Sequence, residues 1–131
     1  KVLNRRIYAN SSTIRTLAHR SRLPFSELLR GTNSLGALLA AQGYPAIPSP
    51  SMPNPGPGNS YFDGGYNARH HGSLKGGAID GVQMEVNYAG LRDSPSNRTN
   101  FSIAFAQVMS QYFRIHYGID LKASTARTRR D

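Results

Sequence analysis

The chain predicts an α/β domain, on three observations: one ten-residue stretch with the two-residue alternation of a strand, one long segment with apolar residues at helical spacing, and a series of short, capped helical segments before them. Long Pro/Gly-rich loops separate these parts. At 131 residues and 14.3 kDa there is room for one domain. We read it as a single α/β domain over 1–121, with a basic, disordered tail over 122–131.

Val2 to Ala9 alternates weakly and is compatible with a short strand. Ser11 or Ser12 caps a helix through about Arg20, with Ile14, Leu17 and Ala18 at helical spacing. Pro24 opens the next helical turn over Ser26 to Leu29, closed by Gly31. Asn33 or Ser34 caps a third helix from Leu35 to Gln42, stopped by Gly43. The proline-rich run over 44–58 cannot sustain a ladder and reads as an extended strap laid across the domain.

Ala78 to Asn87 is the best strand candidate. Ala78, Asp80, Val82, Met84 and Val86 face one way, while Ile79, Gly81, Gln83 and Glu85 face the other. After a polar loop, Thr99 or Asn100 caps the longest helix, through about Tyr117. Its stripe of Phe101, Ala104, Phe105, Val108, Met109, Tyr112, Phe113 and His116 is core, and Gly118 ends it.

Composition removes several functions. With no Cys there is no disulfide framework, thiolate metal site or cysteine nucleophile. The apolar runs are too short to cross a membrane. The net charge is +9, from 13 Arg and only 3 Lys against 7 acidic residues. Arginine presents a planar fork of donors that grips carboxylate, sulfate or phosphate in two contacts. The charge is uneven: Lys1, Arg5, Arg6, Arg15, Arg20, Arg22 and Arg30 face Glu27 alone, and Arg127, Arg129 and Arg130 crowd the other end. This distribution predicts an acidic partner docked at the ends. Nucleic acid is the weaker candidate, because no recognition motif accompanies the charge.

The chain begins at Lys1 with no charged-then-apolar leader, which gives the expectation of a processed product. Sequons at Asn10, Asn97 and Asn100 add an expectation of secretion, with these three as glycosylation candidates.

Chemistry concentrates between Asn59 and Asn87. Glycines relieve the backbone around Tyr66, Arg69, His70 and His71, and the following strand presents Gln83 and Glu85 on one face. A face carrying a carboxylate is not ordinary core, since a buried unpaired charge is costly. Arg, His and Glu converging would suit an anionic substrate with a general acid/base, and Glu85 reads equally as a structural carboxylate paired with Arg69.

The glycine pair, Tyr66, Arg69, His70 and Gly72, the Gln83-x-Glu85 strand and the long helix resemble the C-terminal part of the N-formylglutamate amidohydrolases. Ser34-Leu-Gly-Ala-Leu-Leu and Gly43-Tyr-Pro-Ala-Ile-Pro-Ser-Pro extend the resemblance to about residues 34–118. It implies a partial three-layer α/β/α zinc hydrolase, with Glu85 as the catalytic acid/base and Arg69 and His70 holding substrate carboxylates. His71 stands where many members have Tyr, and Asp80 where a His is common. The half of the domain that carries the family's zinc ligands has no counterpart here. His19, His70, His71 and His116 offer no convergent third ligand, and adjacent His70 and His71 on extended backbone would point apart.

The missing half, taken with the sequons and the arginine-rich ends, gives the expectation of a non-catalytic, processed, secreted relative that assembles with an acidic protein, a sulfated polysaccharide or a mineral, with no metal of its own. Half of a sheet would leave an edge for a partner chain to cover. The alternative is the C-terminal half of a zinc-dependent amidohydrolase acting on N-acyl amino acids, its metal half on another chain.

Overall fold

The computed structural model describes residues 2–61 and 65–121. Among them there are helices and no strand, which overturns the α/β, three-layer expectation. A 3-10 turn at Val2–Asn4 precedes α1 (Arg6–Asn10), α2 (Arg15–Arg20), α3 (Phe25–Arg30), α4 (Leu35–Ala41), α5 (Tyr66–His71), a 3-10 turn at Ser73–Lys75, and α6 (Pro95–Tyr117).

The reason for the missing sheet is physical. Alternation describes one face of one segment, whereas a strand needs a second segment to complete its ladder. Over 83–87 the alternation is realised, with Met84 and Val86 half-buried and Gln83, Glu85 and Asn87 exposed. No main-chain partner lies alongside it among the described residues. The expected edge of a sheet is thus a lone segment. At the N-terminus, residues 2–10 take helical turns where a short strand was expected.

Helices α3, α4 and α6 follow their local signals, whereas α2 begins only at Arg15, and Ser11, expected with Ser12 as a candidate cap for it, instead closes α1. Ser34 caps α4, its hydroxyl accepting from the Ala37 N–H at 3.2 Å. Pro24 occupies the N-cap of α3, and its carbonyl accepts the Glu27 N–H at 2.9 Å. Ser94 and Pro95 set the start of α6 earlier than its apolar stripe does. Ser94 Oγ accepts from the Asn97 N–H at 3.1 Å, and Pro95 sits where a missing N–H costs nothing. Gly118, at φ 68°, ends the helix in the left-handed conformation.

Helix α5 lies where glycine-relieved extended backbone was expected. Gly65 and Gly72 bracket it and leave Tyr66–His71 free to turn. Since His70 and His71 are helical neighbours, the reason given for their pointing apart does not hold.

The core joins α4, α6 and the N-terminal helices. Leu17, Leu28, Leu38, Leu39 and Val108 are nearly closed to solvent, with Ile14, Phe25 and Tyr112 around them. Ala104, Val108 and Tyr112 bury the stripe of α6, as its spacing requires, and Tyr44 meets Phe101 edge-on at 5.1 Å.

The proline-rich strap crosses α4 at Gly36, where any Cβ would overlap the Pro48 carbonyl. Ser49, fully buried, exchanges main-chain and side-chain bonds with Met52, and Arg30 Nη1 and Tyr61 OH both donate to the Pro53 carbonyl. The Ile47–Pro48 peptide is cis.

Candidate functional site

The strongest polar constellation centres on Asp80. Its Oδ1 accepts the Thr16 N–H at 3.0 Å and the Ser73 hydroxyl at 2.6 Å. Its Oδ2 accepts the Leu17 N–H at 2.9 Å and the Tyr117 hydroxyl at 3.0 Å. Thr16 and Leu17 are in the first turn of α2, so Asp80 caps that helix from more than sixty residues away in sequence. Ser73 Oγ also reaches the Thr13 carbonyl at 3.0 Å, and the Thr13 carbonyl accepts the Gly81 N–H at 3.0 Å. Four parts of the chain are thereby tied together: α2, the turn at Ser73–Lys75, the 78–87 segment and the end of α6.

Two tyrosines answer to this charge. Burial, and then the Asp80 carboxylate, push the Tyr112 hydroxyl up to about 12. Tyr117 is raised further, by burial first, then by the Asp80 charge and the hydrogen bond it donates to it.

Beside this node an open cleft of about 410 Å³ runs between α5 and the 79–84 segment, with Asn67, His71 and Gln83 among its walls. Glu85, Arg69 and His70 are outside its lining and exposed. Glu85 Oε1 accepts from Gln83 Nε2 at 2.6 Å, so these two do stand side by side. The Gln83 amide presses on Gly65. His70 stacks on Tyr66 at 4.1 Å, and His71 meets the same ring edge-on at 6.1 Å.

His19 Nε2 is 2.8 Å from Asn10 Oδ1, and His116 Nε2 is 2.8 Å from the Asn33 carbonyl. Among the described residues no three His, Asp or Glu side chains converge as a metal site would need. The described residues do not by themselves supply the three-ligand zinc centre of the family that the sequence resembles.

The arginines sort by position. Arg5, Arg6, Arg20 and Arg22 are exposed and Arg15 is half-buried. Exposed Val2, Ile7, Tyr8 and Leu23 lie in the same N-terminal stretch, with Ile7 and Tyr8 beside Arg6 on α1. Arg127, Arg129 and Arg130, with the whole tail over 122–131, lie outside the described residues. Asn10 is exposed at the end of α1. Asn97 and Asn100 lie in the first turns of α6, not in the open loop that a sequon suggests. Asn97 Nδ2 donates to Asp93 Oδ1 at 2.7 Å, and this bond, after the one from the Gly90 N–H, lowers the Asp93 carboxyl below its usual range.

The Asp80 node is what reasoning from the sequence missed, and its signal was present. The alternation set Asp80 on the same face as Val82 and Met84, and a carboxylate on an inward face must find partners.

No family model, curated protein or solved structure matches the chain. Among the described residues, no helix is long and apolar enough to cross a membrane.

Proposed function

We propose that this chain is a non-catalytic interaction component that binds an acidic protein through its N-terminal helices. One observation carries the reading. Between Val2 and Arg30 there are six arginines against Glu27 alone, and exposed Arg5, Arg6, Arg20 and Arg22 lie in the same stretch, residues 2–23, as exposed Val2, Ile7, Tyr8 and Leu23, with Arg6, Ile7 and Tyr8 together on α1. Arginine beside exposed aliphatic and aromatic side chains is the composition of a protein interface more than of a solvated surface. Bidentate contacts to Asp and Glu would supply orientation, and the apolar side chains would supply desolvated area.

Gln83 lines the cleft, whereas Glu85, which the resemblance would make the acid/base, and Arg69 and His70, which it would set against substrate carboxylates, are exposed and outside the lining.

The test is a binding titration with poly-glutamate at two salt concentrations, run on the chain and on a variant with Arg5, Arg6, Arg20 and Arg22 changed to Ala. Loss of binding in the variant at unchanged helicity is the expected result. Equal binding by both proteins would remove the arginine surface from the account. Release of formate from N-formylglutamate by the chain alone would replace the reading with the hydrolytic one.

A further inference from the structure

Residues 81–87 carry the chemistry of a strand without a main-chain partner among the described residues. Only the Gly81 N–H is bonded to another main-chain segment, at Thr13, and the N–H groups of Val82 to Asn87 have no main-chain acceptor among the described residues. The backbone is nonetheless set for pairing. Gln83 and Glu85 touch at 2.6 Å, as side chains two apart do on one face of an extended segment. Met84, between them, turns to the core. Val82 and Tyr88 stay exposed at 56% and 66%, and Ile79 at 71%.

The sequence of this segment is complementary to itself. Val82-Gln83-Met84-Glu85-Val86 reads nearly the same in both directions, with Gln and Glu as isosteres exchanged across Met84. Laid antiparallel against a second copy with Met84 opposite Met84, Val82 meets Val86, and each Gln83 amide meets a Glu85 carboxylate. The register is selective. Shifting by two residues toward the C-terminus sets Glu85 against Glu85, parallel pairing sets those carboxylates side by side, and a one-residue slip turns Met84 away from the core. No basic residue falls between Gly76 and Arg92, so the chain's positive charge is not carried by the pairing stretch itself.

We propose that the chain forms a homodimer by antiparallel pairing of residues 81–87, in register about Met84. Each copy supplies the ladder that the other lacks, the mode by which extended segments add to an open edge. The pairing uses different residues from the arginine surface and stands whether or not that surface binds an acidic protein.

The experiment is sedimentation velocity over a concentration series on the chain, Gln83→Glu and the swap Gln83→Glu/Glu85→Gln, with far-ultraviolet circular dichroism on each. The chain should dimerise. Gln83→Glu places two carboxylate pairs face to face and should weaken the dimer about tenfold, and the swap should restore it. Because the chain has no cysteine, mixing Gln83→Cys with Glu85→Cys should give a disulfide-linked pair faster than either variant alone. A monomer at concentrations up to about 1 mM would overturn the proposal. So would a dimer indifferent to Gln83→Glu, or cross-linking at equal rates in the mixed and unmixed samples.

Discussion

Replacing Asp80 by Ala should cost more stability than any other single polar substitution in this chain. The carboxylate accepts two N–H groups from the first turn of α2 and two hydroxyls, from Ser73 and Tyr117. Loss of a helix cap costs about 1 kcal/mol, and hydrogen bonds to a charged acceptor are worth about 1.5–3 kcal/mol each. Simple addition would exceed what single substitutions do, and Asp80 is half-buried, so water recovers part of the loss. A cost of about 3 kcal/mol follows, which for a domain of this size lowers Tm by about 10 °C.

Asp80→Asn sharpens the case. Its amide nitrogen would face the Leu17 N–H or the Tyr117 hydroxyl, donor against donor, so the isostere should recover less than half of the cost. Tyr117→Phe alone removes one donor and should cost about 1 kcal/mol, with most of that effect absent in an Asp80→Ala background. Urea denaturation of the chain and the four variants measures all of these. A loss under about 0.5 kcal/mol for Asp80→Ala, the ordinary range for a surface change, would refute the reasoning.

Three other perturbations follow from the same packing. Because the folded state holds Tyr112 and Tyr117 neutral, their contribution is complete below the ordinary tyrosine range near 10; that of Tyr112 is lost as pH rises through about 12, and that of Tyr117 at higher pH still. Stability should therefore fall over that window by about 3 kcal/mol for Tyr112, and spectroscopic titration of Asp80→Ala should show both phenols ionising at lower pH. Gly36→Ala would drive a methyl into the Pro48 carbonyl and should cost about 1–3 kcal/mol by displacing the strap, read as a lower urea midpoint. Leu28→Ala, at a side chain only 2% exposed, should cost about 3 kcal/mol in the same assay.

Legibility in the sequence divides along a physical line. Helices α3, α4 and α6 were readable because a cap, a stop and an apolar stripe are all local, and each was where Pro24, Ser34 and the Phe101-to-Tyr112 spacing put it. The start of α6 slipped because the Ser94-Pro95 signal lies before the stripe begins. Helix α5 was hidden by glycines that flank the helix instead of interrupting it. The strand at 78–87 failed for a non-local reason: its alternation is realised over 83–87, but among the described residues no second segment makes a ladder with it. The same alternation held the key to the site, since it placed Asp80 inward, and attention went to the exposed Glu85 instead.

The measurement closest to the central claim is the salt-dependent affinity for poly-glutamate, compared between the chain and the variant lacking Arg5, Arg6, Arg20 and Arg22. The account predicts binding that weakens steeply with salt and falls at least about tenfold in the variant, whose circular dichroism is unchanged. Affinity that is absent, or unaltered by removing the four arginines, would contradict it.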